Sequence, residues 1–433
     1  MSKDISIIGG GILGMTLALK LSRKGFEVTV FEAADEVGGL AASWQIDQFT
    51  WDKFYHVILK SDVKTRGLLT DLGIEKDINW VETKTGFYVD GKLHSLSNSI
   101  EYLTFKPLGL ISKFRLGLTI LVASMTNNWK KLEKANVTDW LIKWSGKKTF
   151  EKIWLPLLKA KLGDNMKDTS ASFIWATIQR MYAARRSGLK KEMFGYAPGG
   201  YRTVLKALKD CLSSNGVKVI TGHQLSELTT KDGIHVLRFS NGEEYKSRRV
   251  VFTIPSPKII ACWKDMPGDE RMKHEGIRYM GVSCTSVVLK KDISPYYVTN
   301  ITDTRVPFTG VIEMSALADK SNFGGNALVY LPKYANPEDE IFRMSDEEIH
   351  QMYKSTLLRM YPHLQPDDFL FMKTAKVPLV FALNTLEYST NIPSPLSKVK
   401  GVYYGNSAMI TNSTLNVNET VEIAEKISNL ITV

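Results

Sequence analysis

Residues 4–39 read DISIIGGGILGMTLALKLSRKGFEVTVFEAADEVGG, and the spacing of their glycines decides how the chain begins to fold. An apolar run, DISII, enters Gly9, Gly11 and Gly14, which make the pattern G-x-G-x-x-G. ILGMTLALKLSRKG then carries apolar residues at helical spacing and stops at Gly25, a residue suited to ending a helix. EVTVFEA reads as a second strand, with Glu32 at its end. The order is that of a βαβ unit. Gly9 allows the tight turn, Gly11 leaves room for a pyrophosphate against the backbone, and Gly14 lets helix and strand approach closely. The helix start, with Ile12 and Leu13 in its first turn, offers free N–H groups and partial positive charge to phosphates. Glu32 stands where a carboxylate accepts hydrogen bonds from ribose hydroxyls, with Ala33 beside it. The stretch therefore reads as a dinucleotide site.

The rest of the composition narrows the setting. The chain has 433 residues, so two or three lobes are expected at roughly 100–200 residues each. Hydrophobic residues make up 44%, enough for sizeable cores. The three cysteines, Cys211, Cys262 and Cys284, form no C-x-x-C pair and no disulfide framework, which fits a reducing, cytoplasmic compartment. The seven histidines are scattered, and no metal site is expected. No signal peptide is read at the start. No apolar run approaches the roughly 20 residues that cross a bilayer. The formal net charge of +11 suits an acidic partner: an anionic membrane surface, a phosphorylated substrate or nucleic acid. It suits an ordinary lysine-rich solvated surface equally.

Gly38 and Gly39 form a second glycine pair just beyond the ribose-binding strand. A nicotinamide-binding domain has no need of it, whereas a longer cofactor lying extended through the protein does. Here the chain resembles the flavoprotein superfamily of amine oxidases, protoporphyrinogen oxidases and phytoene desaturases. The matching residues are Gly9, Gly11, Gly14, Ala18, Leu21, Gly25, Glu32, Gly38 and Gly39, followed by Leu40 where the family often has arginine. The resemblance implies noncovalently bound FAD and a discontinuous FAD-binding domain that recurs twice. The first return is YAPGGYRTVLKALKDCLSSNGVKVITGHQLSEL, where the backbone at Leu225 would face the adenine, followed by RRVVFTIPSP. The second is GVYYGNSAMITNSTLNVNETVEIAEKISNLI, where Gly405 and Asn406 fill the family's G-[DE] place. Val417 and Asn418 open its last helix, whose N-terminus would favour negative charge on the flavin.

The implied fold class is α/β: a Rossmann-like, GR2-type FAD-binding domain (1–75, 195–265 and 390–433), a β-sheet substrate domain (76–99 and 266–389) and a helical lobe (100–194). TGFYVDGKLHSLSN alternates about an Asp90-Gly91 hairpin turn, and SDEEIHQMYKSTLLRMYP reads as a helix. FKPLGLISKFRLGLTILVASMTNNWKKLEK is apolar with Lys106, Lys113, Arg115, Lys130, Lys131 and Lys134 around it. It reads either as lobe core or as a helix lying on an anionic membrane, at the inner face if the latter. ATIQRMYAARRSGLKKEM carries Arg180, Arg185, Arg186, Lys190 and Lys191, either a solvated basic loop or a receiver of substrate phosphate.

FTWDKFYHVILKSD follows the glycine pair, and in the family this segment passes beside the flavin ring. His56 resembles the histidine that flavin-dependent sugar-nucleotide mutases place near that ring. It is the candidate catalytic residue, with a structural hydrogen-bonding role as the alternative. Flavin carries the redox chemistry itself, so little side-chain acid or base is required. The expected function is an FAD-dependent oxidoreductase of oxidase or desaturase type. It would remove hydride from an apolar or anionic small molecule, such as an isoprenoid, lipid-linked or phosphorylated substrate. The alternative is an isomerase resembling UDP-galactopyranose mutase. No nucleic-acid partner is expected.

Overall fold

A computed structural model describes residues 3–186 and 193–432. Its nucleotide-binding half is a five-stranded parallel sheet in the order Lys218–Ile220, Glu27–Phe31, Asp4–Ile8, Val250–Phe252, Val402–Tyr404. The strands come from three distant stretches of chain. They read as nearly continuous apolar runs because both faces are covered. On one face lie the helices Ile12–Arg23, Tyr201–Ser214 and Val417–Leu430, sharing a core with Ile5, Ile7, Val28, Val30 and Val251. Helix Ile12–Arg23 is buried over nearly its whole length and packs along the C-terminal helix. It ends as the sequence predicts: Gly25 takes φ +83°, and the Gly25 and Phe26 N–H groups close the last turn onto Ser22 and Leu21.

The other face is aromatic. Phe31, Phe252 and Tyr404 from the sheet meet Phe239 and Trp263 from a three-stranded antiparallel sheet (Leu225–Lys231, Ile234–Phe239, Glu244–Ser247) and the helix Ser256–Cys262. Helix Gly268–Glu275 is tied to this layer, because Glu270 accepts hydrogen bonds from the Tyr404 hydroxyl (2.6 Å), the Ser397 hydroxyl and the Lys398 N–H.

The second half is a seven-stranded sheet in the order Phe369–Ala382, Tyr279–Leu289, Ala327–Ala335, Gly310–Glu313, Val298–Ile301, Thr85–Val89, Lys92–Ser95. The last two strands form the expected hairpin, with Asp90 and Gly91 at φ +50° and +78°. Every residue of Tyr279–Leu289 is buried. One face packs on helix Asp346–Met360, which starts with a Ser345/Glu348 capping box. The opposite face, carrying Cys284, Leu328 and Tyr330, packs on residues 46–59. Strand Asn79–Glu82 does not join this sheet. It pairs with Met193–Tyr196, which in turn pairs with Ile58–Leu59, and Ile78 lies in the nucleotide-half core. Residues 99–186 are helical around Trp140, Leu141, Trp154, Leu158, Phe173 and Trp175.

His274 offers a test of how the aromatic layer is held. It is 1% exposed, its Nδ1 lies 2.9 Å from Ser256 Oγ, and its ring meets Tyr404 edge-on at 4.6 Å. Burial lowers its pKa to about 4 from an ordinary 6.5, so protonation favours the unfolded chain. Stability should therefore fall as pH drops below 6.5 and level off near 4. The full difference is worth up to about 3 kcal/mol. His274→Gln should flatten that part of a melting-temperature profile against pH; an unchanged slope would show that other groups control it.

Candidate functional site

The strand Asp4–Ile8 runs into a loop whose glycines are fixed by contact. Gly9 sits at φ +117°, and a Cβ there would meet Thr253 Oγ1 at 2.5 Å. A Cβ on Gly14 would meet the Gly9 carbonyl oxygen at 2.0 Å. Gly11 differs: a Cβ there meets nothing within 4 Å. It is the N-cap of the helix Ile12–Arg23, with no side chain capping the turn. The first-turn N–H groups, which a helix cannot satisfy internally, thus stand beside open space. That is the geometry an anionic pyrophosphate fits.

The second glycine pair lies on the flank of this loop. Gly38 donates its N–H to the Gly10 carbonyl (2.8 Å), bridges Gly11 in parallel, and holds φ +129°. Leu40 sits in a short helical turn, Gly39–Ala41. The Glu32 carboxylate accepts N–H bonds from Gly10 (2.7 Å) and Ala34 (2.9 Å), which hold it at the loop edge, and Ala33 is exposed beside it. Leu225 begins its strand with the side chain buried in the aromatic layer. The backbone contacts to the 32–34 edge come from Ile220, Gly222 and His223.

At the C-terminal return, Gly405 donates to Phe252 O. The Asn406 amide is buried and engaged by backbone, donating to Ile254 O (2.9 Å) and accepting from the Ala408 N–H (3.0 Å). The last helix starts at Val417, but its cap is Asn416, which accepts from the Glu419 N–H. The Asn418 side chain is turned to another helix, capping Val63–Asp71 through the Lys64 and Thr65 N–H groups.

His56 lies half-buried, its Nδ1 3.7 Å from Asp52 Oδ2 and its ring 4.9 Å from that of Tyr201. Among the described residues no hydrogen bond is made by His56 Nδ1. Sequence reasoning passed over Asp52, although it is 2% exposed and central. Its carboxylate accepts the Tyr201 N–H (2.8 Å) and its carbonyl accepts the Tyr330 hydroxyl (2.6 Å). Burial raises its pKa, opposed by His56 and the Tyr201 N–H. Thr253 was also missed: its hydroxyl reaches the carbonyls of Ile8 (2.9 Å) and Gly9 (3.1 Å), locking the loop from behind. A short polar side chain after an apolar strand carries no signal that it serves a loop 244 residues away.

Arg180 is not a free phosphate receiver. It makes a bidentate pair with Asp62 (2.7 and 3.0 Å), a buried carboxylate that also accepts the Leu59 N–H. Lys190 and Lys191 lie outside the described residues, as do the side chains of Arg185 and Arg186. Among the described residues no cluster of His, Cys, Asp and Glu is arranged to hold a metal ion, and no helix is long and apolar enough to cross a membrane. Leu40, Tyr55, Val57, Tyr334, Phe381 and Leu415 keep partial exposure around one core between the loop and the seven-stranded sheet. They make a partly exposed apolar and aromatic wall, pinned by a 2.8 Å hydrogen bond between the Tyr55 and Tyr334 hydroxyls.

Protoporphyrinogen oxidase 2 of Arabidopsis thaliana is 31% identical over 140 residues, covering 32% of this chain and 26% of that protein. Zeta-carotene desaturase of Synechocystis is 24% identical over 304 residues, covering 63% and 60%. The chain thus spans well under two-thirds of either relative. Reduced UDP-galactopyranose mutase superposes with a TM-score of 0.76 at 16% identity, covering 99% of this chain and 94% of that one. Putrescine oxidase bound to putrescine does so at 0.73 and 14%, covering 99% and 98%. Likeness at such identities shows a shared fold and does not separate the two chemistries. The profile of the family "Flavin containing amine oxidoreductase" matches residues 14–418, nearly the whole chain. The chain belongs to that family, with FAD as its cofactor.

Proposed function

We propose that this enzyme removes hydride from a small molecule with a largely apolar body, in the manner of an oxidase or desaturase. The observation that carries the reading is the partly exposed apolar and aromatic wall, which includes Leu40 next to the second glycine pair, together with the open space at Gly11; the space before that wall is taken as the substrate chamber. In this assignment the N–H groups at Gly11, Ile12, Leu13 and Gly14 hold the pyrophosphate, with Gly9, Gly38, Gly39 and Leu40 shaping the channel. Glu32 and Ala33 border the ribose, Leu225 the adenine, and Gly405, Asn406, Val417 and Asn418 the flavin end through backbone. FAD, when bound, supplies the hydride acceptor. The chain contributes position and dryness: Leu40, Val57 and Leu415 exclude water, and Tyr55 and Tyr334 fix the wall. Carotenoid desaturation and porphyrinogen oxidation by the named relatives support an apolar substrate.

His56 favours a second reading, a mutase-like isomerase. Its Nδ1 lies 3.7 Å from the buried Asp52 carboxylate, which orients the ring. Anaerobic titration separates the two. Bleaching of the oxidised enzyme by carotenoid or porphyrinogen candidates is expected for the oxidoreductase. Turnover by the chemically reduced enzyme alone, with its spectrum unchanged, would leave the isomerase.

We further infer peripheral membrane contact through helix Leu110–Met125. Leu110, Ile111, Phe114, Leu121 and Met125 are exposed, Leu110 and Ile111 by 80% and 79%. At 100° per residue they fall within an arc of about 100°. Leu116, Thr119 and Ala123 on the opposite side are buried, so the helix is core on one face only. Ile100 and Leu103 extend the exposed patch, and Lys106, Arg115, Lys130, Lys131 and Lys134 are exposed near it. Lys113 is not in that set: it is buried, with Nζ on the Leu103 carbonyl. Such a face suits an anionic lipid surface.

Two further outcomes check these assignments. Gly11→Val should fold yet retain little FAD, because its side chain enters open space. Gly14→Ala should cost about 1–3 kcal/mol or more by overpacking against backbone. Released FAD and melting temperature report the two separately; full FAD retention in Gly11→Val would contradict the pyrophosphate position. On phosphatidylglycerol vesicles the protein should co-sediment, and Leu110→Ser/Phe114→Ser should lose about tenfold or more in partitioning from the lost apolar burial. Equal sedimentation of both would dismiss the membrane role of this face.

A further inference from the structure

Lys161 is a cation with no anion. It lies on helix Leu155–Leu162, which follows an i→i+5 turn at Phe150–Trp154. Its Nζ stands over three aromatic rings, 5.0 Å from the centroid of Tyr334, 5.9 Å from Phe381 and 6.0 Å from Phe173. Among the described residues no carboxylate pairs with it. Its neighbours in the lobe behave differently: Lys147, Lys152 and Lys167 reach Glu151, Asp90 and Asp164. Protein surrounds Lys161, Tyr55 and Tyr334 closely, yet each keeps accessible surface. Burial disfavours the charged ammonium, and no acid offsets that cost. Ring faces attract a cation but do not neutralise it.

The Tyr334 ring under Lys161 is hydrogen-bonded through its hydroxyl to Tyr55, the neighbour of His56. That hydrogen bond joins the ring under Lys161 to the segment that carries Asp52 and His56. We propose that Lys161 receives an anionic oxygen group, a carboxylate or a phosphate, at one end of a substrate whose apolar body lies along the aromatic wall. The proposal rests on the reading of this chamber as the substrate site. It makes Lys161 a specificity-determining residue, since an anion arriving there gains a charge-assisted hydrogen bond in a place where water is scarce.

The test is calorimetric titration of the FAD-loaded enzyme with decanoate, decyl phosphate and, as the neutral control, decanol. Lys161→Met keeps the length of the side chain and removes the charge. It should weaken decanoate and decyl phosphate binding by about tenfold or more and leave decanol unchanged, while Lys161→Arg should stay within about threefold of wild type. The tighter of the two anions in the wild type distinguishes carboxylate from phosphate. Unchanged anion affinity in Lys161→Met, or decanol binding the wild type as tightly as decanoate, overturns the proposal. Acylation of Lys161 in the wild type, followed by peptide mass spectrometry, needs no variant. Decanoate should slow it and decanol should not; equal rates overturn the assignment. FAD content and anaerobic bleaching are read on the same samples. Enzyme that binds anions through Lys161 but is bleached by no hydride donor would refute the oxidoreductase reading alone.

Discussion

Three separate stretches of chain meet on the carboxylate and carbonyl of Asp52. The segment after the second glycine pair supplies the residue, the returning helix supplies the Tyr201 N–H, and the seven-stranded sheet supplies the Tyr330 hydroxyl. The helix is aimed head-on at the carboxylate, so its dipole and first-turn N–H groups stabilise negative charge there. Gly200 permits the approach: it holds φ +73°, and a Cβ would stand 2.7 Å from Asp52 Oδ1. A buried carboxylate without such partners would be costly. The hydrogen bonds of Asp52 thus fix the chamber's floor, its helix and its roof relative to one another. His56 has its position because Asp52 and Tyr201 have theirs.

The parts of this arrangement that were legible in the sequence are those set by local backbone geometry. Gly9, Gly14 and Gly25 are required by turns and contacts within one βαβ unit, and their spacing reports it directly. The Asp90-Gly91 turn is similarly local. What escaped were pairings between distant residues. Arg180 in a basic run looked free because nothing nearby in sequence marks Asp62 as its partner, 118 residues away. Asn418 stood in a flavin motif, yet its amide caps a helix 354 residues earlier. Strand Asn79–Glu82 was grouped with the wrong sheet because its edge partner, Met193–Tyr196, arrives only after the whole helical lobe.

Composition also left the character of helix Leu110–Met125 open, since a core helix and an interfacial helix draw on the same residues. The three-dimensional placement separates its two faces: small and polar residues, with Leu116, turn inward, while the bulkiest side chains turn out. The net charge of the chain divides in the same way. Much of it lies on exposed lysines, several in ion pairs, whereas Lys161 has no carboxylate partner among the described residues and stands over aromatic rings.

The central sheet has a consequence for biosynthesis. Its first strand emerges from the ribosome at residue 4 and its last at residue 402, and helix Ile12–Arg23 is covered by a helix that ends at Leu430. Until residue 430 has been made, the cofactor loop has its glycines and both neighbouring strands but not the covering helix. The nascent chain therefore carries an apolar helix with an incomplete cover until then, a state open to aggregation. Removing helix Val417–Leu430 should accordingly injure helix Ile12–Arg23 and the cofactor loop first.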